Sequence, residues 1–92
     1  MLNFEWDPQK EFKNLIKHRV SFVEAATIFA DPLSLTWPDP EHSIGEARYI
    51  TVGLSEQSKL LIVAHADRGN HIRIISARKA TSKERKFYER GK

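Results

Sequence analysis

The change in the spacing of apolar residues near the middle of the chain restricts the possible folds more than any other feature. Between residues 8 and 29, apolar side chains recur at helical spacing, as in Phe12, Leu15 and Ile16. Between residues 46 and 77 they alternate with polar residues or run apolar on both faces, as β-strands do. Helices followed by a run of strands are typical of an α+β domain with the helices segregated from a mostly antiparallel sheet.

Capping and turn residues indicate where these elements begin and end. Asp7-Pro8 is typical of a helix start, and residues 21–24 and 81–84 each predict a capping box, with Ser or Thr first and Glu three positions later. Residues 67–70 have the composition of a turn between two strands. The expected elements are a strand at 2–6, helices at 8–18 and between 21 and 31, strands at 33–37, 46–54, 59–65 and 72–77, and a helix at 81–90.

Length and composition exclude several classes of function. A chain of 92 residues has room for one domain. It contains no cysteine, which excludes disulfides and cysteine nucleophiles and favours the cytoplasm. No apolar run approaches the roughly 20 residues of a membrane-spanning helix. The four histidines lack metal-ligand spacing, and there is no glycine-rich phosphate loop or nucleophile elbow. We therefore expect no metal, no cofactor and no membrane partner.

The charge is divided unevenly between the two halves of the chain. Residues 1–46 carry four Lys/Arg against eight Asp/Glu, and residues 47–92 carry eleven against four, so a net charge of +3 conceals halves of −4 and +7. A basic half of this kind is typical of proteins that bind RNA or DNA. An acidic protein partner would fit the charge equally well.

Cationic and imidazole side chains concentrate on the predicted strands of the basic half. Such groups can cleave RNA without a metal, because a base can remove the 2′-hydroxyl proton, cations can stabilise the phosphorane and an acid can protonate the leaving oxygen. Imidazole suits either proton-transfer role because it titrates near neutral pH. The candidate catalytic residues are Lys59, His65, His71 and Arg73, and the candidate RNA contacts are Arg48, Arg68, Arg78 and Lys79.

Each candidate also has a structural interpretation. His65 lies in an apolar strand, where a packed core histidine is the more common outcome. Arg73 is flanked by isoleucines, and an ion pair with Glu46 or Glu84 would account for it. His42 lies in the loop before the strands, where both a functional role and simple solvent exposure remain open.

Four stretches of the chain resemble the BrnT toxins of bacterial type II toxin–antitoxin systems. The stretches are Phe4-Glu5-Trp6-Asp7-Pro8 followed by Asn14; residues 17–25 with 29–32; Glu46-Ala47-Arg48 with Gly53; and residues 73–80 with Glu84-Arg85 and Tyr88. They follow the order of the family and cover nearly the whole chain. The chain departs from the family pattern at Arg19, where Gly is usual, at Lys59, where we expect Arg, and at Asn70-His71, where an acidic residue is common.

The resemblance implies a RelE-like ribonuclease fold and RNA cleavage that arrests translation. It implies a catalytic role for Arg73, the same role for Lys59 as a conservative replacement, and an RNA contact for Arg78, whereas His65 and His71 are candidates from their chemistry alone. It also implies a BrnA-type antitoxin whose ribbon-helix-helix domain binds operator DNA. Two other functions remain open from the residues: a non-catalytic nucleic-acid-binding module, and an interaction domain for an acidic protein.

Overall fold

The protein is built on a five-stranded sheet whose central strand is β4. The computed structural model describes residues 2–91. The strands are β1 (Asn3–Glu5), β2 (Leu35–Pro38), β3 (Arg48–Leu54), β4 (Leu60–Arg68) and β5 (His71–Lys79). Their order across the sheet is β1-β5-β4-β3-β2, and all neighbours are antiparallel except β1, which runs parallel to β5. The predicted α+β class with a mostly antiparallel sheet is confirmed.

Three helices begin close to the residues that the sequence predicts. They are α1 (Pro8–His18), α2 (Phe22–Thr27) and α3 (Ser82–Arg90), and a 3-10 turn, Ile28–Ala30, continues α2. The Asp7 carboxylate accepts a hydrogen bond from the Gln9 amide at 2.8 Å, and Pro8 occupies the first turn, which sets the start of α1. At α3, the capping box between Thr81 and Glu84 is present in both directions.

The second predicted capping box, at the start of α2, is only half formed. The Ser21 hydroxyl accepts a hydrogen bond from the Glu24 amide at 3.0 Å, as expected. The Glu24 side chain does not return to Ser21, because it is buried and accepts a hydrogen bond from the Ser55 hydroxyl at 2.7 Å. Glu24 therefore joins α2 to the turn between β3 and β4 rather than closing the box.

The two faces of the sheet are covered to different extents. On the helix side, α1 and α2 pack over a core of Val20, Phe22, Ala25, Ile28, Leu61, Val63, Ile74 and Ala77. On the other side, α3 covers one end only, over a smaller core of Val52, Leu60 and Ile62 with Leu35, Trp37, Ile50, Ala80 and Tyr88. The remainder of that second side, which we call the open face, presents Arg48, Ala64, Ala66, Arg68, His71, Arg73 and Ser76.

An aromatic contact and a charged hydrogen bond hold α3 at its end of the sheet. The rings of Trp37 and Phe87 meet edge to face at 5.4 Å. The Tyr88 hydroxyl donates to the Asp31 carboxylate at 2.6 Å, and this hydrogen bond raises the pKa of Tyr88 to about 12. Because α3 is fixed there, it leaves the open face uncovered.

Two residues in the family-like stretches occupy positions where the backbone favours glycine. A Cβ atom at Gly53 would lie 3.0 Å from the Cβ atom of Ile28, so glycine lets the 3-10 turn lie directly on β3. Arg19 ends α1 in the left-handed conformation, with a φ of 59°. A side chain in this conformation costs about 1–2 kcal/mol, which explains why glycine suits the position.

The side chain of Asn14 closes the outer edge of β5. Strand β1 pairs only with residues 71–73, so Ala77 has no strand on that side. The Asn14 amide donates to the Ala77 carbonyl at 2.8 Å and accepts from the Ala77 amide at 3.0 Å. It also donates to the Val20 carbonyl at 2.9 Å. One buried amide thus replaces a strand residue and joins α1, the start of α2 and β5.

We predict that Asn14→Asp lowers the free energy of unfolding by about 3 kcal/mol. The carboxylate keeps the shape of the amide but cannot donate, so two buried carbonyls lose their partner and face a negative charge. Urea denaturation at neutral pH measures the change. Gln9→Glu makes the same chemical change on the exposed side of α1 and should stay within about 0.5 kcal/mol of the wild type. Equal effects of the two substitutions would contradict this role for Asn14.

Candidate functional site

A row of side chains crosses the open face from β3 to β1. Arg48, Ala66, Arg73 and Glu5 are successive cross-strand partners in this row. Because adjacent strands lie about 4.8 Å apart, the Cα atoms of Arg48 and Arg73 are separated by about 10 Å. The methyl group of Ala66 is fully buried between them. The two guanidinium-bearing side chains therefore lie on either side of a buried alanine. A shallow groove lies beside this row, and Ala64 forms its floor.

Carboxylates hold the arginines of the open face, but they do not balance their charge. Arg73 Nη1 lies 3.0 Å from Glu5 Oε2, and Arg68 Nη2 lies 2.9 Å from Glu46 Oε1. Arg48 is the least well paired, because its Nη2 is 3.7 Å from Glu46 and its buried Nε has no hydrogen-bond partner within residues 2–91. Three arginines against two glutamates leave one positive charge, which an anionic ligand would neutralise.

A cavity of about 280 Å³ lies beside the arginine row. It is lined by Asp39, His42, Arg48, Ile50, Ala64, Ile75 and Ser76. The 3-10 turn Pro40–His42 brings His42 to this wall, where its Nδ1 lies 2.9 Å from Asp39 Oδ2. In the neutral tautomer that donates Nδ1–H to Asp39, Nε2 is the nitrogen that can accept a proton. The side chain of His42 is 65% exposed, so a substrate can reach that nitrogen.

Side-chain size along β4 explains why the cavity lies at this position. On the side away from α1 and α2, β4 presents Leu60 and Ile62 beneath α3 and then the small residues Ala64 and Ala66. A bulge opposite Ala64 and His65 inserts Ile75 as an extra residue in β5. Bulges bend a strand and change the direction of nearby side chains, and they are common next to active sites. The small side chain of Ala64 leaves room for the cavity floor, and the bulge at Ile75 forms part of one wall.

Four of the eight predicted site residues come together on the open face, and four do not. Those brought together are Arg48, Arg68, His71 and Arg73. His71 is the cross-strand partner of Arg68, one row beyond Arg73. It therefore lies on the opposite side of the arginine row from the cavity that His42 lines.

The structure places His65 on the helix side of the sheet, in the core. It is 2% exposed, its Nε2 lies 2.8 Å from the Thr51 hydroxyl and its Nδ1 lies 3.1 Å from Asp67 Oδ1. The ring also meets Phe29 edge to face at 5.0 Å. Burial lowers the pKa of His65, and the nearby Asp67 carboxylate opposes this only in part. The packed-core interpretation describes this residue, which the sheet separates from Arg73.

Lys59 also lies far from the groove. Its Nζ is 3.9 Å from Glu24 Oε1, next to the turn between β3 and β4. It precedes Ala66 by seven positions, which corresponds to about 23 Å along a strand. The side chain partly neutralises a buried carboxylate, so the structure gives it a stabilising contact at the far end of β4.

The last two predicted RNA contacts lie near α3 and on the helix side. Arg78 forms two hydrogen bonds of 2.8 Å with the Glu84 carboxylate, and these bonds lower the pKa of Glu84 to about 2. Lys79 is exposed, and as the partner of Leu61 it projects from the helix side of β5. Neither residue lines the groove or its cavity.

Sequence reasoning did not assign two parts of the site. Glu5 is the ion-pair partner of Arg73, whereas the expected partners Glu46 and Glu84 bind Arg68 and Arg78 instead. The pair of Asp39 and His42 was also missed as a unit. Its signal is a carboxylate and an imidazole three positions apart in a proline-bounded loop, a spacing that one helical turn brings together.

Within residues 2–91, no three His, Asp or Glu side chains are grouped so that they could hold a metal ion. No helix in the same range is long and apolar enough to cross a membrane.

Comparison with known proteins identifies the class to which the chain belongs, the ribonuclease toxins of type II toxin–antitoxin systems. The family model described as "Ribonuclease toxin, BrnT, of type II toxin-antitoxin system" matches residues 6–84. The chain therefore belongs to the BrnT family, as its residue stretches indicate.

A solved structure shows the same fold. The crystal structure of the Brucella abortus ribonuclease toxin BrnT superposes with a TM-score of 0.69 at 19% sequence identity, over 89% of this chain and 100% of that chain. The comparison with curated protein sequences gives no match. The BrnT fold expected from the sequence is thus confirmed by a relative of low sequence identity.

The depressed pKa of His65 predicts how stability depends on pH. The folded protein binds a proton at His65 less readily than the unfolded chain does. The contribution of His65 to the free energy of unfolding is therefore complete above about pH 6.5 and is lost as the pH falls below that value. In the wild type, His65 should make the free energy of unfolding fall by up to about 1.4 kcal/mol for each pH unit in this acidic range. His65→Gln should abolish that part of the fall. Urea denaturation at pH 5, 6 and 7 measures the slopes. Identical slopes in the two proteins would show that His65 does not titrate as described.

Proposed function

We propose that this protein is a metal-independent endoribonuclease and that the groove beside the row of Arg48 and Arg73 binds the scissile phosphate. The observation that carries the proposal is the arginine row beside the pair formed by His42 and Asp39. Membership in a ribonuclease toxin family supports RNA as the substrate. The buried Nε of Arg48, which has no partner among residues 2–91, supports an anion as the missing acceptor.

In this proposal the chain's own groups perform each proton transfer. His42 Nε2 takes the proton of the 2′-hydroxyl, and the 2′-oxygen attacks the adjacent phosphorus. The bond to the 5′-oxygen breaks, and the products are a 2′,3′-cyclic phosphate and a 5′-hydroxyl end. His71, on the other side of the arginine row, suits the acid that protonates the leaving oxygen. Arg48 and Arg73 stabilise the negative charge of the phosphorane.

Four of the original candidates fall outside this centre for geometric reasons. His65 is buried on the other side of the sheet, and Lys59 contacts Glu24 at the far end of β4. Arg78 is engaged by Glu84, and Lys79 projects from the helix side. Arg68 stays in the proposal as an RNA contact, because it lies on the open face next to His71.

We also propose the cellular role that fits this chemistry. As a member of a type II toxin family, the protein has an antitoxin partner. We propose that this antitoxin is of the BrnA type, with a ribbon-helix-helix domain that binds operator DNA, and that RNA cleavage in the cytoplasm arrests translation. The excess positive charge of the open face supports neutralisation by an acidic segment that becomes ordered over the groove.

We predict that the purified protein cleaves single-stranded RNA in the presence of EDTA and leaves 2′,3′-cyclic phosphate ends. His42→Gln should lower kcat by about 10²- to 10⁴-fold, because it removes the base. Arg48→Gln should lower kcat by about 10²- to 10³-fold, because it removes a charge that stabilises the transition state. Lys86→Gln removes an exposed cation from α3 and serves as the matched control, with activity close to wild type.

Two results would contradict the proposal. Cleavage that requires added Mg²⁺ would exclude the metal-independent mechanism, and full activity of both His42→Gln and Arg48→Gln would exclude this groove. In cells, expression of the wild type alone should stop growth and block incorporation of labelled amino acids. Either site substitution, or co-expression of the antitoxin, should relieve that arrest.

A further inference from the structure

A second cavity continues the groove around the outer edge of β5. It has a volume of about 210 Å³ and is lined by Lys10, Lys13, Asn14, Lys17, His18, Ile75 and Ser76. Ile75 and Ser76 also line the cavity that His42 and Arg48 share. The two cavities therefore meet at the bulge in β5, and one path leads from the proposed cleavage site to α1.

The position of α1 explains this continuity. Strand β1 covers the outer edge of β5 only as far as Arg73, and beyond it Asn14 closes the edge with its side chain. Helix α1 therefore lies directly beside the edge. Lys10, Lys13 and Lys17 are three and four positions apart, so they share one side of this helix. They span about 10 Å, the length of a few phosphates of one nucleic-acid strand.

These three lysines are free to bind an anion. Within residues 2–91, no carboxylate oxygen lies within 4.0 Å of their ammonium groups, whereas Arg68, Arg73 and Arg78 are all engaged in ion pairs. The distribution of charge along the sequence does not indicate this cluster, because the lysines belong to the half of the chain whose net charge is −4. The fold brings them to the edge of the basic face.

We infer that Lys10, Lys13 and Lys17 form a subsite for the RNA backbone next to the scissile phosphate. The inference rests on the proposed function, since it assumes that RNA occupies the groove. An acidic protein segment is the other polyanion to consider. RNA is favoured because lysine is depleted in protein–protein interfaces and is a common phosphate ligand. A protein partner would gain more contact energy from the exposed apolar side of α1, where Phe12 and Ile16 lie, than from its lysine side.

The test compares two triple variants that lose the same charge. One is Lys10→Gln/Lys13→Gln/Lys17→Gln, and the other is Arg85→Gln/Lys86→Gln/Arg90→Gln on the exposed side of α3. The probe is a fluorescent 2′-O-methyl RNA oligonucleotide, which cannot be cleaved, and anisotropy gives its Kd over a series of salt concentrations. Circular dichroism melting curves check that both variants fold.

We expect the α1 variant to bind at least about tenfold more weakly than the wild type at low salt. The slope of log affinity against log salt concentration should become smaller in magnitude by about 2, because each of three lost contacts with single-strand phosphates contributes about 0.7 to that slope. The α3 variant should keep the wild-type slope. Equal slopes in the two variants would overturn the inference, because net charge alone would then explain the binding.

The outcomes also separate this inference from the proposed function. A wild-type protein that neither binds nor cleaves RNA would overturn both. A wild-type protein that cleaves RNA and loses activity with Arg48→Gln, but whose salt slope is unaffected by the α1 variant, would overturn only the lysine subsite.

Discussion

The hydrogen bonds of one buried side chain, Asn14, join α1, the start of α2 and the outer edge of β5. Strand β1 is too short to cover the edge of β5, and the amide of Asn14 takes its place at Ala77. The same side chain holds the chain between the first two helices at Val20. Without this side chain, the amide and carbonyl of Ala77 and the carbonyl of Val20 would be buried without hydrogen-bond partners. Asn14 therefore helps to fix α1 against the sheet. The path along α1 toward the groove depends on that placement.

The groove exists because the sheet is covered unequally. Two helices cover the large core on one side, and α3 is held at one end of the other side by Trp37 and Tyr88. The ion pairs on the remaining surface are partly exposed, and pairs of this kind contribute only about 0–1 kcal/mol to stability. Their main effect is positional, since Glu5 and Glu46 restrict the guanidinium groups around the alanine floor. A site with fixed charges can stabilise a phosphorane without reorganising during the reaction.

Local signals in the sequence predict most of the elements. Asp7-Pro8 sets the start of α1, and residues 81–84 set that of α3. Alternation, or a short run that is apolar on both faces, identifies the strands, because caps and periodicity act within a few residues. The parallel pairing of β1 with β5 joins residues far apart in the chain and leaves no local pattern. For that reason Glu5 was not expected as the partner of Arg73. The 3-10 turn that brings His42 to the cavity is equally invisible in the periodicity.

The face of the sheet on which His65 lies can be deduced from the turn between β4 and β5. A two-residue turn at 69–70 pairs Arg68 with His71, and counting back along β4 then pairs His65 with Ile74. Since paired residues share a face, His65 must lie on the side opposite Arg73. The groove cannot be deduced by counting residues, because it depends on Ala64 lying beside a bulge whose position the apolar pattern does not reveal.

The central claim is that RNA binds the open face at the alanine floor. The most direct measurement is an NMR titration of the labelled protein with a 2′-O-methyl RNA oligonucleotide, following the backbone amide signals. We predict shifts at Arg48, Ala64 and Ser76, with little change at Ala25 on the helix side. Shifts confined to the helix side, or no shift at the alanine floor under saturating RNA, would contradict the account.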